Sequence, residues 1–106
     1  MKIYNREVHF FFSVGAKDAL SRLDSDVSPF IRTAAAMAIL SEQYEKRKHF
    51  EDPSYKGRPL TMDEVLSLTS EQFEELCGEM NEAIEEGTQV SVEVAESKKN
   101  EGPVSN

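Results

Sequence analysis

A chain of 106 residues, 39% apolar and 30% charged, has the size of one domain with a modest core. Its net charge of −8 and pI near 4.7 exclude direct binding to a nucleic-acid backbone as the main function. The charge is divided unevenly: residues 1–60 hold ten Lys/Arg and eight Asp/Glu, a net of +2, and residues 61–106 hold two and twelve, a net of −10. Such asymmetry marks an interaction surface or a tail more often than a catalytic pocket. No run of about 18 apolar residues is present, so no membrane span is expected. The first residues lack the apolar run and small-residue site of a signal peptide. A lone cysteine, Cys77, cannot form an internal disulfide, so a reducing, cytoplasmic setting is expected.

The N-terminus predicts a β-hairpin, with Lys2–Tyr4 and Glu7–Val14 as strands and Asn5-Arg6 as the turn. In the second strand Val8, Phe10, Phe12 and Val14 alternate with His9, Phe11 and Ser13, so one face is fully apolar and the other partly so. Either the chain's own helices cover Phe10, Phe11 and Phe12, or a neighbouring subunit does; left open, the run would be an aggregation hazard. Gly15 ends the strand, and Ala16, Ala19, Leu20 and Leu23 predict a short helix that stops at Asp24-Ser25-Asp26.

Ser28 followed by Pro29 is a strong helix start, with a capping hydroxyl and a first-turn proline whose missing N–H costs nothing. The helix should run to about His49. Its first half, Phe30–Leu40, is apolar almost all round and reads as buried; Ser41–His49 is polar except Tyr44 and reads as solvated. Residues 50–60, with Pro53, Gly57 and Pro59, predict a connector. Two capping boxes follow. Thr61 with Glu64, stapled by Leu60 and Val65, opens a short helix over about 62–67; Thr69 with Gln72, stapled by Leu68 and Phe73, opens a longer one. On the second, Phe73, Leu76, Cys77, Met80, Ala83 and Ile84 form one apolar stripe, and Glu71, Glu74, Glu75, Glu79, Glu82, Glu85 and Glu86 the opposite face. Gly87 reads as its C-cap. Beyond it Val90, Val92 and Val94 alternate as a short strand or docking segment, and the remainder has the composition of a disordered tail. The predicted fold is α+β, mainly α: a short N-terminal β-hairpin on a bundle of about four helices in one domain, 1–87, with a flexible acidic tail, 88–106.

Little in the sequence announces catalysis. Gly15-Ala16-Lys17 lacks the glycine spacing and Lys-Ser/Thr pair of a phosphate-binding loop. His9 and His49 have no metal-ligand spacing with Cys77 or with an acidic cluster. Cys77 falls on the apolar stripe among acids that oppose a thiolate. No catalytic, metal or cofactor residue is therefore expected. The basic run Lys46-Arg47-Lys48 suits a helix C-terminus and would also suit docking of another copy's acidic helix. Glu74, Glu75, Glu79 and Glu82 are either a solvated face or a surface for a basic partner.

Taken in order, these elements resemble those of tail assembly chaperones from long-tailed bacteriophages and prophages: an aromatic-rich N-terminal β-element, an Ala-rich central helix, Thr61-Met62-Asp63-Glu64-Val65, an acidic amphipathic helix and an acidic end. The resemblance implies a non-enzymatic protein whose copies coat the apolar tape measure protein and help recruit tail tube protein; a homo-oligomer is a further option, and the charge and hydropathy leave no direct nucleic acid or membrane as an expected partner. It also implies a longer frameshifted form, with which Lys98-Lys99-Asn100 is compatible. From their own chemistry, and not from the resemblance, Phe10, Phe11, Phe12, Lys46, Arg47, Lys48, Glu74, Glu75, Glu79 and Glu82 are the expected protein-binding residues. The alternative is a small acidic inhibitor or DNA mimic that binds a basic protein through the glutamates alone.

Overall fold

The computed structural model describes the backbone of residues 1–101 and the side chains of residues 1–88. Among them the chain is mostly helical, with a two-stranded antiparallel hairpin and four helices. The hairpin strands are β1, Lys2–Ile3, and β2, Arg6–Glu7, with Lys2 opposite Glu7 and Ile3 opposite Arg6. The turn is Tyr4–Asn5, one residue earlier than the sequence suggests. Both residues have positive φ, 50° and 65°, as a two-residue hairpin turn of right-handed strands requires. This register buries Ile3 completely in the core. A Tyr at positive φ is unusual; its hydroxyl donates to the Glu64 carbonyl at 3.4 Å.

The predicted long second strand is a correction. Its ladder ends at Val8, whose N–H donates to the Met1 carbonyl at 2.8 Å, because the first arm offers only Met1–Ile3 as a partner. Residues 8–13 stay outside any strand but keep the expected alternation: Val8, Phe10 and Phe12 turn to the core, while Phe11 lies under the Arg47 guanidinium, 4.5 Å from the ring centroid. The Phe11 N–H donates to the Leu40 carbonyl at 3.1 Å, so this segment lies along a helix instead of a neighbouring strand.

Helix α1, Val14–Ser21, begins one residue before Gly15. Its N-cap is Ser13, whose hydroxyl accepts from the Ala16 N–H at 3.0 Å and donates to Gln43 Oε1 at 2.7 Å. Helix α2, Pro29–Glu51, starts on the Ser28 cap as predicted and packs against every other helix. Its burial is distributed otherwise than expected. The first turn projects past the core, leaving Phe30 67% exposed and tilted against Phe73 at 5.8 Å. The buried residues are Ala34, Met37, Leu40, Ser41 and Glu45, so burial reaches into the half read as solvated. Ser41 is buried because its hydroxyl accepts the Leu60 N–H at 2.8 Å, tying the connector to α2.

Both capping boxes form. Thr61 and Glu64 exchange bonds at 3.0 and 3.2 Å at the start of α3, Met62–Leu66, and Thr69 and Gln72 at 3.1 and 3.1 Å before α4, Ser70–Glu101. Leu60 and Val65 of the first staple are buried. The α4 stripe packs as read, with Leu76 and Met80 in the core and Phe73, Cys77, Ala83 and Ile84 half-buried on it. The helix does not end at Gly87; it continues through Glu101, across the stretch of Val90, Val92 and Val94. The rest of the tail predicted from 88 lies outside the described residues. No helix among the described residues is long and apolar enough to cross a membrane.

Candidate functional site

An open groove of about 770 Å³ lies where the 10–15 segment, α1, α2 and α4 meet. Phe10, Phe11 and Phe12 line it together with Val14, Ala83 and Gly87. Its depth on the α4 side depends on Gly87. A Cβ there would lie 2.7 Å from Phe12 Cδ2 and 3.0 Å from the Phe12 carbonyl oxygen. The glycine read as a helix terminator is therefore a point of close approach between α4 and the aromatic segment. Val14, at the mouth, is 88% exposed although apolar. Two cations, Lys17 on α1 and Arg47 on α2, share the groove with Gln43, and Glu86 stands on α4. Arg47 rests over Phe11 and pairs loosely with Glu51 at 3.5 Å. Lys17 has no ion-pair partner among the described residues.

The structure brings Phe10, Phe11, Phe12 and Arg47 to one site and separates the other predicted residues from it. Lys46 is turned away, 4.0 Å from Glu42, and lines a smaller recess of about 250 Å³ with Glu45, His49, Phe50 and Tyr55. Lys48 is half-buried outside the groove. Glu74, Glu75 and Glu82 are exposed, and none of the four predicted glutamates lines the groove. Glu79 accepts from the N-terminal ammonium at 3.3 Å, so it holds the hairpin to α4. Lys17, Val14 and Gly87 were missed as site residues because only the tertiary fold places them beside the phenylalanines.

Two polar clusters hold the surroundings. The Arg6 guanidinium donates to both carboxylate oxygens of Glu64, at 2.8 and 3.1 Å, and to the Pro59 carbonyl at 3.0 Å, with Arg58 adding a contact to Glu64 at 3.3 Å. Hydrogen bonding from Arg6, against the opposing effect of burial, holds the Glu64 carboxyl down at about 2. In the smaller recess the Tyr55 phenol is drawn to the buried Glu45 carboxylate, and hydrogen bonding to it, with burial, pushes the phenol up to about 12. Glu45 Oε1 nevertheless lacks a partner of good geometry. Both tips occupy the space a side chain at Gly57 would need. The Cys77 thiol is half-buried, and burial first, then the Glu74 charge, raises its pKa. Among the described residues no three or more His, Cys, Asp or Glu side chains are grouped to hold a metal ion.

Compared with protein-family models, with curated proteins and with solved structures, the chain matches none of the three.

Proposed function

We propose that this chain is a non-enzymatic tail assembly chaperone of a long-tailed bacteriophage or prophage, working in the host cytoplasm. It would bind the tape measure protein, help recruit tail tube protein and act in several copies. The observation that carries the binding role is the open groove lined by Phe10, Phe11 and Phe12 with Val14 88% exposed at its mouth. Phe10 and Phe12 pack on the core and Phe11 under Arg47, yet the groove they line stays open beside the exposed Val14, where another apolar surface can cover it. The phage assignment rests on the order of elements in the sequence. The test is to establish whether a very long helical protein is encoded beside its gene and to co-express the two. Client that is soluble and co-purifies only with the intact groove supports the proposal. Client equally soluble without the chain, or a gene without tail-gene neighbours, overturns it.

The second reading, a mimic that binds a basic protein, is favoured by one observation: Glu74, Glu75 and Glu82 are exposed and without ion pairs among the described residues. It requires steep salt dependence and loss of binding when Glu74, Glu75, Glu79 and Glu82 are neutralised.

A further inference from the structure

The groove has a polarity that narrows what can fill it. Lys17 and Arg47 stand on its α1 and α2 walls, Glu86 on the α4 wall, and apolar groups between. Two cations beside an apolar hollow run against a net charge of −8. Lys17 has no ion-pair partner among the described residues, and the exposed Arg47–Glu51 contact at 3.5 Å is easily exchanged. We infer that the groove takes an amphipathic helix of a partner protein, its apolar face against Phe10, Phe12 and Val14 and its Lys17/Arg47 edge bearing carboxylates. The inference rests on the reading of the chain as a client-binding protein and specifies the client's surface.

Charge complementarity carries the choice of occupant. A helix edged with cations on that side would set them against Lys17 and Arg47. Glu86, on the α4 wall, disfavours acids on its own side, so the face of the incoming helix is restricted. The acidic helix α4 of a second copy does not meet the requirement. Its apolar residues Phe73, Leu76 and Met80 already pack into their own core, so its outer face would bring carboxylates without apolar anchors. A helix with apolar residues at i, i+3, i+4 and i+7 supplies both.

The test uses the full chain and two labelled synthetic helices with the same apolar face, one edged with Glu and one with Lys, titrated by fluorescence anisotropy. The Glu-edged helix should bind about tenfold more tightly. The double variant Lys17→Glu/Arg47→Glu should reverse that preference. Val14→Asp should abolish binding of both; Val14 is the exposed first residue of α1, where an aspartate suits the helix, and an unchanged circular dichroism spectrum checks the fold. Equal binding of the two helices, a preference that survives the double variant, or undiminished binding by Val14→Asp overturns the inference. So does sedimentation showing self-association that Val14→Asp removes, because a second copy is then the occupant. If the Glu-edged helix binds but the tape measure client does not, the chaperone reading fails and this inference stands.

Discussion

The ion pair between Arg6 and Glu64 fastens the hairpin to α3, and its contribution can be isolated by changing one atom type. Glu64→Gln keeps an oxygen to accept the Thr61 N–H, now bonded at 3.0 Å, so the capping box survives while the charge goes. A carboxyl held at about 2 instead of its ordinary 4.5 corresponds to about 3 kcal/mol in the absence of screening. The side chains are 19% and 21% exposed, and solvent at that rim reduces the contribution to about 1–2 kcal/mol. The folded-state pKa is depressed, so the unfolded chain binds the proton first as pH falls. This stabilisation is complete above the unfolded value near 4.5 and is lost as pH drops from about 5 toward 2.

Urea unfolding at several pH values reads this directly, and urea avoids the ionic screening that guanidinium would add. At about pH 7 the variant should be less stable by about 1–2 kcal/mol, and the gap should close as pH approaches about 2. Other carboxylates titrate in the same range, so the difference between the two proteins is the quantity that matters, not either curve alone. Two parallel stability curves, or a variant as stable as its parent at neutral pH, would show that the Arg6 contact is compensated by water and that the reasoning is wrong.

The two glycines of α4 should respond oppositely to alanine. Gly78 has nothing within 4 Å of the added Cβ and should be stabilised by about 0.5–1 kcal/mol; Gly87 meets Phe12 at 2.7 Å and should be destabilised by about 1 kcal/mol, as thermal or urea unfolding will show. Spectrophotometric titration of the three tyrosines should show one phenol ionising near 12 that disappears in Tyr55→Phe. Because this pKa is raised above its unfolded value of about 10, the associated stability is present below pH 10 and is lost as pH rises toward 12. Alkylation of Cys77 near pH 8 should be slower than that of a free thiol and faster in Glu74→Gln, since burial and that charge both oppose the thiolate.

Features decided within a few residues of chain were legible in the sequence. The caps at Ser28, Thr61 and Thr69 bond to partners three residues away, and the spacing carries the geometry with it. The α4 stripe was legible for the same reason, as a repeat of one local period. Features decided by packing between distant segments were not. Gly87 reads as a terminator because glycine favours left-handed geometry, yet its φ is not positive and its role is to admit Phe12. Glu45 sits in a polar run and is buried only because the connector returns Tyr55 and Gly57 over it. The aromatic alternation of residues 8–12 survived without a strand, since side-chain period follows from an extended backbone and not from pairing.

The charge asymmetry of the chain separates into parts with different consequences for binding. Of the acids after residue 60, Glu64 is committed to Arg6 and Glu79 to the N-terminus, so the acidic half is partly internal fastening. What remains repels any acidic ligand at long range, while Lys17 and Arg47 attract it only within the groove. At about 0.1 M salt the screening length is near 10 Å, so salt removes the repulsion between whole molecules more effectively than the attraction at contact. For an acid-edged helix, association should therefore be slow at low salt and quicken as salt rises, with dissociation changing little. A purely electrostatic partner of the glutamate face would show the opposite trend in its association rate. The sign of that salt dependence distinguishes a groove that selects its client from an acidic surface that merely attracts cations.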